Sequence, residues 1–172
     1  AGHLTQALHL AASARRRFPE NADVARLLGL VRALRGEADQ FLQEAADALA
    51  PDAWEALTRQ TASANAWAAA LRYAEKAPRP EGVPPAEHLA ETALALRRPD
   101  QAERLLRAVL DADPAAWRPA LRLADLARDT QQPEAAAAWI AEAQKRGAPE
   151  AELQQRGGAA PQTFEPVRTM IQ

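Results

Sequence analysis

The chain is 172 residues long, carries a formal charge of -2 and contains no cysteine. Its length suits one ordinary domain or a short repeat array with a hydrophobic core. The lack of cysteine excludes disulfides, a thiol nucleophile and thiolate metal sites, and the near-neutral charge provides no bulk attraction to nucleic acid or to an anionic membrane.

The first predicted element is a helix over residues 1–18. Small residues recur in it about one helical turn apart, at Ala7, Ala11 and Ala14. The helix ends in a basic cluster, residues 15–17, just before Pro19. Positive charge stabilises the C-terminal end of a helix dipole, and no aromatic residues alternate with the cluster as they do on a nucleic-acid platform. We therefore interpret the cluster as a solvated helix cap and expect no nucleic-acid partner.

The next helical segments are less regular. A helix containing Leu28 and Gly29 is predicted to end near Gly36, and two registers are open for the helix that follows. One register places Ala38, Leu42 and Ala45 against the preceding helix, and the other places Phe41, Ala45 and Ala48 there. The second preserves the 34-residue spacing found later in the chain but puts a bulky ring where alanine is usual. We favour the second register.

Two further runs, residues 51–60 and 65–77, are predicted to form a degenerate helix pair. Its expected core residues are Trp54, Leu57, Trp67, Leu71 and Tyr73. Tryptophans among alanine and leucine at helical spacing are interpreted as packing residues rather than as binding anchors. Residues 77–85 contain four prolines in nine positions, which predicts a loop or kink between two halves of the chain.

From residue 83 to residue 150 the chain repeats itself at a spacing of 34 residues. Leu89 and Ala90 recur as Leu123 and Ala124, Ala102 as Ala136, Leu106 as Ile140, and Val109 as Ala143. Each unit contains two helical runs, and the second run begins at Pro99 or near Pro133, where proline is tolerated in the first turn. Self-similarity at a fixed period is typical of stacked helical repeats.

The two units resemble tetratricopeptide (TPR) repeats. Numbered from residue 83, the first has Ala90 at position 8, Ala102 at position 20 and Pro114 at position 32, where the family usually has two small residues and a proline. Small side chains there let the two helices of a repeat approach closely. The resemblance implies an all-α fold, a right-handed α–α superhelix that is a TPR-like solenoid of antiparallel helix pairs.

The resemblance also divides the chain. Residues 1–18 are expected to be a leading half repeat with only the second helix, because Ala7, Ala11, Ala14 and Pro19 have the spacing of Ala102, Leu106, Val109 and Pro114. The remaining divisions are residues 19–82, two divergent TPR-like pairs ending in the proline-rich loop; 83–150, two well-matched repeats; and 151–172, a C-terminal cap or extended tail. An unpaired second helix exposes its apolar face, so we expect either a piece of a longer array or another element that covers this face.

The sequence contains no pattern that points to catalysis. Phosphate-loop, zinc-protease, nucleophile-elbow and dinucleotide motifs are missing. His3, His9 and His88 are scattered, so they predict neither a metal cluster nor a catalytic relay. There is also no apolar run of about 18 residues that would span a membrane. We therefore expect no enzyme activity, no metal, no cofactor and no membrane insertion by this segment.

The resemblance implies a binding surface on the concave side of the array, which the first helices of TPR pairs line. The residues at these positions are Arg26, Glu87, Glu91, Arg118, Leu121, Arg122, Asp125 and Arg128. Arg118 and Arg122 stand where chaperone-binding TPR domains hold a carboxylate, but Glu91 stands where that clamp needs an asparagine. The clamp is therefore incomplete, and a solvated network of Arg118, Arg122 and Asp125 is the simpler interpretation.

The sequence thus predicts a non-catalytic TPR scaffold that binds a protein or peptide partner through its concave surface. The alternative is a structural spacer or homo-oligomerisation module attached to a catalytic domain outside this chain. Two bacterial settings fit the alanine- and arginine-rich composition: a periplasmic module of an envelope or exopolysaccharide-secretion assembly, and a cytoplasmic adaptor. Nothing in the sequence decides between the two compartments.

Overall fold

The computed structural model describes residues 2–45 and 49–156. These residues form ten α-helices and no strand. The helices are α1 Gly2–Arg17, α2 Ala22–Leu34, α3 Ala38–Ala45, α4 Pro51–Ser63, α5 Trp67–Ala74, α6 Pro85–Ala95, α7 Pro99–Ala112, α8 Arg118–Asp129, α9 Pro133–Lys145 and α10 Glu150–Gln155. The predicted tail beyond residue 156 lies outside the described residues.

The chain forms two compact units, residues 1–112 and 113–172. In the first, the pairs α2–α3, α4–α5 and α6–α7 follow the packing of α1 against α2. In the second, α8 pairs with α9, and α10 contacts α9. The boundary follows α7, whereas the proline-rich loop that we expected between two halves lies inside the first unit.

The first helix of each pair ends in the same type of turn. The turn residue has a positive φ angle at Gly36, Asn65, Arg97 and Gln131. The next residue then donates its backbone N–H to the carbonyl five residues earlier, for example Glu37 N to Arg32 O at 2.8 Å and Gln132 N to Ala127 O at 2.7 Å. This is the Schellman arrangement, which satisfies carbonyls that a helix end leaves unpaired. These turns fix the register of the four pairs.

The core of the first unit contains a cluster of three aromatic rings. The ring centroids of Phe41, Trp54 and Tyr73 lie 5.8–5.9 Å apart, in edge-to-face or tilted arrangements. The Tyr73 hydroxyl donates a hydrogen bond of 2.8 Å to the carbonyl oxygen of Gly29. Of the other predicted core residues of this region, Leu57 is buried, whereas Trp67 and Leu71 are only half-buried.

The structure places Phe41 in the helix crossing, as the favoured register predicts. A Cβ atom on Gly29 would lie 2.7 Å from Cε1 of Phe41, so the ring occupies the space that a side chain at position 29 would take. The glycine thus compensates for the bulky ring on the neighbouring helix. Ala48, the last residue of that register, lies outside the described residues.

Candidate functional site

The turn register allows the outer faces of the first helices to be compared. Leu27 and Leu34 of α2 are 52% and 40% exposed, and they lie on one side of the helix because they are seven residues apart. Leu30 lies between them, half-buried and packed partly against the core. We call Leu27, Leu30 and Leu34 the leucine row. The sequence analysis identified only Leu30's neighbour Arg26 here, although two leucines flanking position 30 on one helix face were a readable signal.

The same face of α8 is open as well, but it is charged. The residues of α8 at the repeat positions of Leu27 and Leu34 are Arg122 and Asp129, and both are exposed. Solvent-exposed leucines are common one at a time, whereas a row of them on one helix face is typical of a contact surface. The leucine row therefore distinguishes α2 from the matching surface of α8.

Arg26 lies at the edge of the leucine row, half-buried, and forms an ion pair with Asp23 one turn earlier. Glu91 is exposed on α6. Leu121 and Glu87, predicted to be displayed on the concave surface, are instead buried, with Leu121 only 1% exposed. The turn register puts both at the fifth position of a repeat, where Arg26 is half-buried as well. This position therefore lies at the margin of the packed face and contributes contacts within the fold.

The charged residues of α8 are engaged by α10 and by a neighbouring ring. The guanidinium of Arg118 lies 5.4 Å from the centroid of the Trp117 ring, a cation–π distance. Arg128 donates a hydrogen bond to the carbonyl oxygen of Arg156, and Nε of Arg156 donates to Asp125 at 3.0 Å. The hydrogen bond to Asp125 is the main cause that raises the pKa of Arg156. Asp125 and Arg128 thus help to anchor the last described helix.

A depression of about 590 Å³ lies in the first unit beside the turns that join α2 to α3 and α4 to α5. Its polar walls are paired with one another: Nε1 of Trp67 donates to Asn65 at 2.7 Å, and Nε of Arg72 donates to Asp39 at 2.7 Å. Small residues form most of the remaining lining. The sequence analysis did not anticipate this depression, because it depends on how two turns meet in space.

Among the described residues, no group of three or more histidine or acidic side chains is arranged to hold a metal ion. The described helices also include none that is both long and apolar enough to cross a membrane. The structured features of this chain are thus helix pairs, repeated turns and the outer faces of the first helices, which define the class of helical-repeat proteins.

The family follows from the sequence itself. The chain matches the model of the tetratricopeptide repeat over residues 1–56 and 88–152. These ranges make up more than half of the chain, which therefore belongs to the TPR family, and the predicted all-α helical-repeat fold is confirmed. Among solved structures, the one titled "Crystal structure of MamA" is similar over 88% of this chain and 92% of that chain, at 13% identity and a TM-score of 0.42. No curated protein matches the sequence at a significant level.

Proposed function

We propose that this chain is a non-catalytic scaffold that binds a protein or peptide partner on the outer faces of its first helices. The leucine row on α2 is the observation that carries the proposal. Leu27 and Leu34 expose apolar surface in water, and covering it would contribute on the order of 1.5–3 kcal/mol per fully buried leucine. Leu30 is already held against the core, so the row sits on a rigid base.

The membership of the chain in the TPR family supports the same assignment, because domains of this family bind protein partners and are typically scaffolds. The partner is expected to present apolar side chains spaced to meet two leucines on successive turns of a helix. Arg26 at the edge of the row and the exposed charges of α8 would add selectivity rather than most of the affinity. The bacterial envelope or secretion setting stays a prediction from composition.

The leucine row can be tested with peptides selected for binding to the chain. We would select binders from a displayed random-peptide library, synthesise them and measure their affinities by isothermal titration calorimetry. Leu27→Asp and Leu34→Asp are each expected to weaken binding by about tenfold or more, because each places a charge where an apolar contact forms. Both leucines are exposed, so the substitutions should leave the fold intact, as circular dichroism would verify.

Leu10→Asp provides a matched control for this experiment, since Leu10 is an exposed leucine on α1. Its substitution should leave peptide affinity within about twofold. Selected peptides that bind the row variants as tightly as the native chain would contradict the proposal. Sedimentation of the free chain addresses the alternative function: concentration-dependent dimers that Leu27→Asp and Leu34→Asp abolish would assign the row to self-association.

A further inference from the structure

The face of α1 that points away from α2 is unusual for a second helix of a repeat. By the shared spacing of the two helices, Ala7, Leu10 and Ala14 of α1 correspond to Ala102, Leu105 and Val109 of α7. Leu10 is 69% exposed and its two alanine neighbours are half-buried, whereas Leu105 is 7% exposed and its neighbours are buried. We call Ala7, Leu10 and Ala14 the α1 slot.

The helix pairing explains this difference. In the pair α6–α7, the first helix packs along the second. In contrast, α1 packs against the following helix, α2, and Ala11 on that side is buried. Within the described residues no helix lies against α1 in the place that α6 takes against α7. The α1 slot, an exposed leucine between two alanines, therefore matches the surface that receives a first helix in a complete repeat.

The charge beside the slot indicates what kind of helix would fit. Residues 1–36 contain six arginines and only two acidic residues. Three of the arginines, residues 15–17, form the last turn of α1, and none of them makes an ion pair with another described residue. A helix antiparallel to α1 would place its N-terminal turn beside these arginines, and acidic residues are favoured in that turn. The α6 helix shows this pattern, with Glu87 in its first turn.

We propose that the α1 slot binds an acidic amphipathic helix of a separate protein, antiparallel to α1, with its acidic first turn beside residues 15–17. The binding is independent of the leucine row. A second copy of this chain is a poor occupant, since α6 buries Leu89, Ala90 and Ala93 and would have to leave its own unit to reach the slot. The slot would thus join the scaffold to a partner that completes the leading half repeat.

A peptide with the sequence of residues 83–96 is a suitable probe, because it contains a first helix of this fold and two acidic residues, Glu87 and Glu91. We would titrate this peptide, with blocked ends, into the full chain and follow the helical circular dichroism signal and the heat of binding. Binding with a gain of helix is expected. Leu10→Asp should weaken it by about tenfold or more, because a charge would replace the central apolar contact.

Two controls isolate the slot. His9→Asp makes a similar change at the adjacent exposed position, outside the slot, and should leave the affinity within about twofold. Leu34→Asp, which disrupts the leucine row, should also leave it unchanged and so separates this inference from the proposed function. A peptide with both glutamates replaced by glutamine should bind more weakly and lose its dependence on salt.

Several results would overturn the inference. They are no binding of the acidic peptide, equal binding of the glutamine peptide, and equal loss of affinity in the Leu10→Asp and His9→Asp variants. Dimerisation of the free chain that Leu10→Asp abolishes would also overturn it, because a second copy would then fill the slot. Circular dichroism and thermal melting of each variant would confirm that it folds, as expected for substitutions of exposed residues.

Discussion

At the scale of single residues, Gly29 connects three helices of the first unit. The space left by its missing side chain admits the ring of Phe41 from α3, and its carbonyl oxygen accepts the Tyr73 hydroxyl from α5. Phe41 and Tyr73 also contact each other and Trp54 through their ring edges. A hydrogen atom at one position in α2 is thus a condition for the aromatic cluster, because densely packed rings have little room to move.

We expect Gly29→Ala to destabilise the chain even though alanine favours helices. The added Cβ would lie 2.7 Å from Phe41 and 2.8 Å from Leu57, closer than carbon atoms approach. Overpacking of this kind costs about 1–3 kcal/mol, and the better helix propensity of alanine returns about 1 kcal/mol. Urea denaturation should therefore show a net loss of about 1–2 kcal/mol.

Two further variants test the cause of this loss. Gly2→Ala, at a glycine with no atom within 4 Å of the added Cβ, should be neutral or slightly stabilising. In a chain that already carries Phe41→Leu, Gly29→Ala should cost less, because the smaller side chain leaves room for the methyl group. An equal cost of Gly29→Ala with phenylalanine or leucine at position 41 would show that the ring is not responsible.

At the scale of elements, the repeated turns explain which helices could be predicted from the sequence. The turn residues Arg97 and Gln131 are separated by 34 residues, the same spacing that the sequence comparison found. Between Gly36 and Asn65 the spacing falls to 29 residues. The helix pair over residues 51–77 was nevertheless predicted from its apolar pattern. Its register could not be, since only one of the four turns contains glycine and the other turn residues adopt a positive φ angle without a sequence signature.

The loop between α5 and α6 is held by one side chain. Nε of Arg79 donates to the carbonyl of Val83 at 3.0 Å, and Nη1 donates to the carbonyls of Ala74 and Glu75 at 3.2 and 3.0 Å. The guanidinium therefore joins the end of α5 to the end of the loop, where several prolines cannot donate backbone hydrogen bonds. The loop is thus an ordered connection within the first unit.

We expect Arg79→Ala to loosen this loop without unfolding the chain. Loss of the three hydrogen bonds should reduce local stability by about 1 kcal/mol, which corresponds to roughly fivefold faster amide exchange at residues 81–83. Hydrogen-exchange mass spectrometry would measure it. Arg79→Lys keeps the charge but lacks the planar fork, so it should show an intermediate rate. Unchanged exchange in Arg79→Ala would mean that the contacts of the loop backbone suffice.

At the scale of the whole molecule, the family and the helical class could be predicted from spacing alone, whereas the display of side chains could not. The sequence analysis placed Leu121 on the binding surface by its repeat position, and the structure buries it. The repeat position fixes the direction of a side chain relative to its own helix only. Its exposure also depends on what packs beside that helix, which is why Leu27 and Leu34 emerged from the structure.

The stability of the first unit should decrease at alkaline pH through Tyr73, the single tyrosine of the chain. Burial is the main cause that raises the pKa of this hydroxyl; the charge of Arg32 lowers it and that of Asp39 raises it further. A pKa that is higher in the folded chain than in the unfolded chain means that folding retains a proton. The stabilisation is therefore complete below the unfolded pKa of about 10 and is lost as the pH rises above it, by at most about 1.4 kcal/mol per pH unit.

Tyr73→Phe separates this effect from other titrations. Near neutral pH the variant should be about 1 kcal/mol less stable than the native chain, because the hydrogen bond to Gly29 is lost. Above about pH 10 the difference should shrink and then reverse, since phenylalanine has no proton to release. Urea denaturation across this pH range would give both values, and the near-ultraviolet absorbance of tyrosinate should rise only as the first unit unfolds. Ionisation of Tyr73 at its ordinary pKa while the helical signal stays intact would show that the aromatic cluster admits water.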